Sequence, residues 1–194
     1  MIKPSLVKRL CQEKNLLAFS AGGDSTALFF LLLKQNISFD IAIVNYNTRE
    51  QSKKEITYAQ ALAQKYHKNI FIKTAPFIDK NFESKAREIR YKFFDTLMQK
   101  YNYQNLLTGH HLNDKFEWFL MQLGKGAGLP ELINLKQLSQ RKNYTLVRPL
   151  LNTTKDELLD FLKNNDIIYY EDKSNENLQF KRNQFRYQIS NDFI

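Results

Sequence analysis

A short segment near the N-terminus combines residue types that bind phosphate groups. Residues 20–25 read Ser-Ala-Gly-Gly-Asp-Ser, and they lie between a short apolar run and an apolar run long enough for a buried helix. Backbone N–H groups at the start of a helix point towards a bound anion, and the helix dipole favours its charge. The segment therefore predicts a phosphate-binding loop. The alternative is a serine-rich helix cap with Asp24 in the first turn.

This loop matches neither of the two common phosphate-binding patterns. Residues 124–126 read Gly-Lys-Gly, which lacks the upstream glycine and the hydroxyl residue of the Walker A motif. The Gly-x-Gly-x-x-Gly pattern of dinucleotide-binding proteins is also missing from the chain. The sequence thus favours a phosphate loop of a third kind.

Two carboxylates, Asp114 and Glu117, form the second group of candidate residues. They are three residues apart on a predicted helix, so they lie on the same side of it. They follow a Thr-Gly-His-His segment at the end of a predicted strand, where general acid–base chemistry is expected. The alternative is an acidic pair on a solvated helix face.

The adjacent histidines His110 and His111 are predicted to contact a nucleotide and to pack locally. Zinc is the alternative for this pair. Adjacent residues do not share a helical face, however, and no cysteine or further histidine offers the remaining zinc ligands.

Apolar segments of two lengths alternate along the chain. The short ones predict strands at residues 16–19, 39–44, 69–73, 105–108 and 145–147, and the long ones predict helices at 26–34, 51–66, 81–101, 113–123 and 154–164. This alternation predicts an α/β fold with a doubly wound parallel sheet. Ligands bind such sheets at the carboxyl ends of the strands, where residues 20–25, 45–49 and 108–114 are expected to converge.

Composition narrows the class of protein and its partners. The 194 residues include 29 Lys or Arg and 20 Asp or Glu, for a formal charge of +9, and 43% are hydrophobic. These values exclude a disordered or collagen-like chain and favour an acidic partner, nucleic acid before membrane. A merely basic surface is the alternative. The single cysteine, Cys11, predicts a reducing cytoplasm, and the longest apolar run is too short to cross a membrane.

Six motifs resemble those of one enzyme family in order and spacing. Residues 20–25 resemble the Ser-Gly-Gly-x-Asp-Ser loop of ATP enzymes that release pyrophosphate and form an adenylate. The other motifs lie at residues 82–91, 108–117, 124–128, 147–151, and 171–175 with 182–186. Together they resemble the tRNA(Ile)-lysidine synthases, from about residue 16 to residue 186. Ala21 replaces the first glycine of the loop, and we expect its φ to be negative.

The resemblance implies a Rossmann-like PP-loop (adenine nucleotide alpha hydrolase) fold and a two-step ligation that uses ATP and Mg²⁺. ATP would adenylate O2 of the wobble cytidine in a tRNA(Ile) with a CAU anticodon, and the amine of free L-lysine would displace AMP at C2. Asp24 would hold Mg²⁺ and the phosphates, and Asp114 and Glu117 would bind lysine and position or deprotonate its amine. The residues expected to bind ATP are Ser20, Ala21, Gly22, Gly23, Asp24, Ser25, Thr108 and His110.

Two positions carry further expectations from the same resemblance. Arg87 would neutralise the charge that develops as pyrophosphate departs. Its alternative role is a surface salt bridge to Glu83, one turn earlier. Asn113 replaces an aspartate of the family motif.

The C-terminal residues are expected to contact tRNA. We expect residues 1–170 to form the ATP-binding catalytic domain and residues 171–194 a basic helical extension, the start of a linker to further C-terminal domains. Within the extension the residues expected on the tRNA backbone are Lys181, Arg182, Asn183 and Arg186. An amphipathic terminal helix without RNA contact is the alternative.

Two alternative functions for the chain are a tRNA thiolase with the same loop and a sensor that binds ATP without catalysing a reaction. Thiolase chemistry usually recruits paired cysteines, and this chain has only Cys11. A homodimer is expected from the family resemblance, and no membrane partner is expected.

Overall fold

The fold is a six-stranded sheet with helices on both faces. The computed structural model describes residues 1–47 and 51–171. The strands are β1 (Asn15–Phe19), β2 (Phe39–Asn45), β3 (Ile70–Thr74), β4 (Asn105–Leu107), β5 (Leu138–Gln140) and β6 (Thr145–Val147). The helices are α1 (Pro4–Leu10), α2 (Gly23–Lys34), α3 (Gln51–Lys65), α4 (Phe82–Lys100), α5 (Leu112–Leu123), α6 (Leu129–Leu132) and α7 (Lys155–Asn164).

The strand order, β3-β2-β1-β4-β6-β5, is that of a doubly wound sheet. The chain moves outward from β1 through β2 to β3, and then crosses to β4 on the other side of β1. The topological switch point therefore lies between β1 and β4, which pair in parallel from Asn15 with Asn105 to Leu17 with Leu107. The α/β prediction is confirmed. The sheet is not wholly parallel, however, because β5 pairs with β6 in antiparallel orientation.

Alternating side chains of the central strands form two hydrophobic cores. Leu17, Leu107 and Val147 point to the face covered by α1, α2, α3 and α7. Leu16 and Leu106 point to the opposite face, where α4 packs with Phe94, Leu97 and Met98. A sheet buried on both sides leaves its strand ends as the places where polar groups can meet a ligand.

Three short elements were missing from the sequence prediction. Helix α1 has only seven residues and buries two of them, Leu6 and Leu10, which is too little for a helical pattern to stand out. Helix α6 has four residues, of which none is buried. Strand β5 has three residues, and its pairing with β6 determines its conformation.

A buried arginine fixes the segment around β5. The Arg148 guanidinium donates to the Lys136 carbonyl oxygen at 2.7 Å and to Ser139 Oγ at 2.9 Å. Burial lowers the pKa of Arg148 from its usual value. In the Arg-Pro-Leu-Leu segment this residue therefore has a structural role next to the ligand-binding edge.

Within residues 1–47 and 51–171, no helix has the length and apolar character to span a membrane.

Helix α7 begins with a capping box formed by Thr154 and Glu157. The Glu157 backbone N–H donates to Thr154 Oγ1 at 3.2 Å, and the Thr154 N–H donates to Glu157 Oε2 at 2.7 Å. These bonds to Thr154 lower the pKa of Glu157. Thr153, the residue before the N-cap Thr154, is buried.

We expect Thr154→Ala to lower the free energy of unfolding by about 1 kcal/mol, because it removes the oxygen that caps the helix. Thr154→Ser should cost much less, since it keeps that oxygen. The lowered pKa of Glu157 adds stability above its unfolded pKa, and this part is lost as pH falls through the folded value. Urea unfolding at neutral and acidic pH measures both effects. Equal stability of the Ala and Ser variants at neutral pH would contradict the cap.

Candidate active site

The predicted phosphate loop connects β1 to α2 at the switch point of the sheet. Ser25 Oγ donates to the Gly22 carbonyl oxygen at 3.0 Å and accepts from the Ser20 N–H at 3.2 Å. Ser20 Oγ lies 3.1 Å from Ser25 Oγ. No side chain caps the N-terminus of α2, where Gly22 is the N-cap residue. The two serines thus shape the loop and leave the amides of the first turn of α2 available to an anion.

Ala21 contradicts the prediction of a negative φ. Its φ is 62°, in the left-handed region, and its side chain is completely buried in the core. An alanine in this conformation costs roughly 1 to 2 kcal/mol, which explains the glycine at this place in the loop pattern it resembles. The Ala21 carbonyl oxygen accepts from the Tyr170 N–H at 2.9 Å, so the loop is tied to the end of the described chain.

The segment that follows α7 lies against the phosphate loop. Gly22 forms an isolated parallel bridge with Tyr170. A Cβ added to Gly23 would lie 3.3 Å from the Tyr169 ring, so glycine allows the close approach of this aromatic side chain. Tyr58 of α3 donates its hydroxyl to the Ile168 carbonyl oxygen, and burial raises the pKa of Tyr58 to about 12.

Asp24, in the first turn of α2, has two cationic or potentially cationic neighbours. Its carboxylate forms an ion pair with the Lys155 ammonium. Its other oxygen lies 3.7 Å from His111 Nε2. The sequence predicted a site role for Asp24 but none for Lys155, which reaches the loop from the first position of α7.

Asp114 and Glu117 are the two buried residues of α5. Glu117 is completely buried and Asp114 is 8% exposed, so the alternative of a solvated acidic face is wrong. Asp114 Oδ2 accepts from the His111 N–H at 3.0 Å and lies 3.6 Å from His111 Nε2. One imidazole therefore lies between the carboxylate of the phosphate loop and the carboxylate of α5.

His111, for which the sequence predicted nucleotide contact and local packing, lies beside both Asp24 and Asp114. Its side chain is buried, and its Nδ1 has no hydrogen-bond partner among the described residues. His110, in contrast, has its Nδ1 2.9 Å from Thr108 Oγ1. Within the described ranges, no group of three or more His, Cys, Asp or Glu residues could hold a metal ion.

The turn after β4 packs directly on the phosphate loop. A Cβ added to Gly109 would lie 3.0 Å from the carbonyl carbon of Asp24 and 3.1 Å from the Ser25 nitrogen. Glycine at this position lets the backbones of the two turns approach. The prediction that the loop and the Thr108 to Asp114 segment converge is thus confirmed by their contacts.

Asn113 connects the first turns of α5 and α7. Its Oδ1 accepts from the Lys155 backbone N–H at 2.9 Å, and the neighbouring Leu112 N–H donates to the Thr153 carbonyl oxygen at 2.9 Å. The amide that replaces the aspartate of the resembled motif therefore has a positioning role.

Arg87 lies on the exposed side of α4, with its guanidinium 4.8 Å from the centre of the Tyr91 ring. It lines an open groove of about 550 Å³ together with Arg141, Lys142 and other residues. The described ion pairs do not include a salt bridge to Glu83. Ala86 directly precedes Arg87, and its carbonyl oxygen accepts from the Tyr46 hydroxyl at 3.0 Å. This hydrogen bond places this part of α4 at the carboxyl end of β2.

The four residues predicted to contact tRNA lie outside the described residues: Lys181, Arg182, Asn183 and Arg186. The described part of the 171–194 extension is Glu171 alone. Its carbonyl oxygen accepts from the Gln51 side chain at 2.9 Å.

The geometry of the site agrees with a family comparison. Residues 3–193 match the pattern of the PP-loop domain. The chain belongs to the PP-loop domain family. This PP-loop domain implies ATP binding, in accord with the start of α2, where no side chain caps the backbone amides.

Curated relatives support the resemblance seen in the motifs. The chain is 51% identical over 193 residues to the tRNA(Ile)-lysidine synthase of Campylobacter jejuni (strain RM1221). The alignment covers 100% of this chain and 60% of that protein. It is 51% identical over 185 residues to the enzyme of the same name from Helicobacter pylori (strain 26695), covering 95% of this chain and 54% of that protein. The resemblance to lysidine synthases is confirmed, and the chain spans about 60% or less of these relatives.

Solved structures of low sequence identity share the fold. The U34-tRNA thiolase NcsA from Methanococcus maripaludis, described with its [4Fe-4S] cluster, superposes with a TM-score of 0.78 at 19% identity, covering 96% of this chain and 70% of that one. The NMN synthetase from Francisella tularensis superposes with a TM-score of 0.55 at 15% identity, covering 84% and 69% of the two chains. These likenesses confirm the Rossmann-like PP-loop fold.

Proposed function

We propose that the protein joins L-lysine to C2 of the wobble cytidine in a tRNA(Ile) with a CAU anticodon. ATP first adenylates O2 of the cytidine with release of pyrophosphate, and the ε-amine of lysine then displaces AMP. The product is lysidine. The observation that carries this proposal is the 51% identity over 193 residues to a tRNA(Ile)-lysidine synthase, and the approach of Asp24 and Asp114 to the His111 imidazole supports it.

The phosphate loop is assigned to ATP. The residues proposed to hold the nucleotide lie in the turns after β1 and β4 and in the first turn of α2, and they are Ser20, Ala21, Gly22, Gly23, Asp24, Ser25, Thr108 and His110. In nucleotide sites Mg²⁺ takes one or two carboxylates together with phosphates and water, so Asp24 fits as its protein ligand. The ion would supply charge neutralisation at the phosphates. Arg87 is assigned to the charge on the departing pyrophosphate.

The buried pair on α5 is assigned to lysine. An ammonium group with a pKa near 10.4 is neutral in only roughly 0.04% of molecules at pH 7, which adds about 4.6 kcal/mol to the barrier of an amine attack. Carboxylates at the site can bind the ammonium and orient it, and one of them can accept its proton. The position of Asp114 supports this role, because the His111 imidazole that lies 3.6 Å from it also lies 3.7 Å from Asp24 of the phosphate loop.

The remaining assignments extend beyond the described residues. We assign Lys181, Arg182, Asn183 and Arg186 to the tRNA backbone, since arginine and asparagine side chains suit phosphate contact. The boundary between a catalytic domain at 1–170 and an extension at 171–194, a homodimeric assembly and a cytoplasmic location are parts of the same proposal.

Thiolation of tRNA is the competing reaction, because a thiolase shares the fold. Iron–sulfur clusters are held by cysteine thiolates, and the 194 residues contain one cysteine. Cys11 follows α1 and precedes β1, so it lies at the amino end of the strand whose carboxyl end carries the phosphate loop. The available thiol is at the wrong edge of the sheet for the site.

Incorporation of labelled lysine into tRNA tests the proposed function. The protein is incubated with ATP, Mg²⁺, labelled L-lysine and a tRNA(Ile) transcript with a CAU anticodon. We expect ATP-dependent incorporation, and none into a transcript whose wobble cytidine is replaced by uridine. Absence of label from the CAU transcript, or equal label in both transcripts, would refute the proposal.

A further inference from the structure

Lys155 is a cation of the phosphate site that none of the motifs contains. Its ammonium forms an ion pair with the Asp24 carboxylate, and the two side chains are 35% and 36% exposed. A Cβ added to Gly23 would lie 3.6 Å from Lys155 Nζ. The ammonium is therefore next to the first residue of α2, on the open side of the loop where an anion would bind.

The backbone of Lys155 is held from two directions. Its N–H donates to Asn113 Oδ1 at 2.9 Å. The preceding residue, Thr154, shares a capping box with Glu157. These contacts fix the point from which the side chain extends, so its ammonium stays within reach of the loop.

The Asp24 carboxylate has two proposed cationic partners, the Lys155 ammonium and Mg²⁺. Without nucleotide, the ammonium neutralises a carboxylate that lies close to the N-terminus of α2. A bound triphosphate brings several charged oxygen acceptors to the same place, and hydrogen bonds between ionised groups are the strongest available to an ammonium. The carboxylate is then needed by the metal ion.

We propose that Lys155 is a second phosphate ligand of the loop. In the nucleotide-free protein it pairs with Asp24; when ATP binds, it transfers to the phosphate oxygens that leave as pyrophosphate and frees Asp24 for Mg²⁺. This inference rests on the proposed ATP site, but it depends on neither the lysine step nor the tRNA. The competing role is a positioning one, in which Lys155 only neutralises Asp24.

A double-mutant cycle separates the two roles. The affinities for ATP and for inorganic pyrophosphate are measured by titration calorimetry in EDTA, so that Asp24 has no metal to hold. The proteins are wild type, Asp24→Asn, Lys155→Gln and the double variant. We expect Lys155→Gln to weaken binding about tenfold or more, and to do so in the Asp24→Asn background as well. Loss of the effect in that background would overturn the proposal, because Lys155 would then act only on Asp24.

Two further variants control the experiment. Lys155→Arg keeps a cation at the loop and should retain affinity within a few-fold. Lys163→Gln removes an exposed lysine of the last turn of the same helix and should leave affinity unchanged. A thermal unfolding midpoint for each variant shows that it is folded. Failure of lysine incorporation would refute the proposed function without changing these binding results, so the two failures are distinguishable.

Discussion

Replacement of Asp24 with asparagine is expected to slow pyrophosphate release from ATP about a hundredfold or more. The change keeps the size of the side chain and removes the charge proposed to hold Mg²⁺ at the phosphates. The ion pair with Lys155 is lost as well, so the loop loses the negative charge of Asp24 and keeps the positive charge of the Lys155 ammonium. Steady-state pyrophosphate release in the presence of saturating tRNA, L-lysine and Mg²⁺ measures the effect.

A matched variant tests whether the effect belongs to the site. Asp160→Asn removes an exposed carboxylate from α7 and should leave the rate unchanged. If Asp24→Asn released pyrophosphate within threefold of the wild-type rate, Asp24 would not be the carboxylate that supports the first step.

The second large effect is expected from Glu117→Gln, which should lower lysine incorporation about a hundredfold or more while ATP binding remains nearly unchanged. Glutamine fills the same buried space, so the change removes charge and proton acceptance without leaving a cavity. Single-turnover incorporation of labelled lysine and equilibrium ATP binding measure the two quantities.

The pH dependence of this variant adds an independent readout. Free lysine supplies more neutral amine as pH rises towards its pKa, so the deficit of Glu117→Gln should be smaller in alkaline buffer than at neutral pH. Glu131→Gln, an exposed glutamate of α6, serves as the control and should show no deficit. A parallel collapse of ATP affinity in Glu117→Gln would show that this residue belongs to the nucleotide site and not to the lysine site.

The long elements of the fold were predictable because each carries its own signal. Strands such as β1 and β2 contain short apolar runs, at residues 16–19 and 41–44, and helices such as α3 and α4 repeat apolar residues at helical spacing. Strand β5 has no such signal. Its two terminal residues are exposed, and its conformation follows from antiparallel pairing with β6, which no local pattern encodes.

The site was predictable where residues are neighbours in sequence and was missed where they are not. Asp114 and Glu117 were recognised from their spacing, and the structure places both on the buried side of α5. Lys155 is 131 residues from its partner Asp24. The signal that could have found it is its place at the start of the helix after β6, since helices that follow parallel strands begin at the ligand-binding edge.

Ala21 shows where a substitution misleads the prediction. An alanine favours negative φ, yet the hydrogen bond of its carbonyl oxygen to Tyr170 and its burial in the core hold it at 62°. The tertiary contacts outweigh a local preference of roughly 1 to 2 kcal/mol. A residue that replaces glycine can therefore keep the backbone shape of a phosphate loop.

The central claim is tested most directly by the chemical identity of the wobble base after reaction. The CAU-anticodon tRNA(Ile) is incubated with the protein, ATP and isotopically labelled lysine, then digested to nucleosides and measured by mass spectrometry. We expect the wobble cytidine to gain one lysine and lose one water, to carry the isotope, and to depend on ATP. An unmodified cytidine, or a nucleoside that carries sulfur in place of lysine, would contradict the claim.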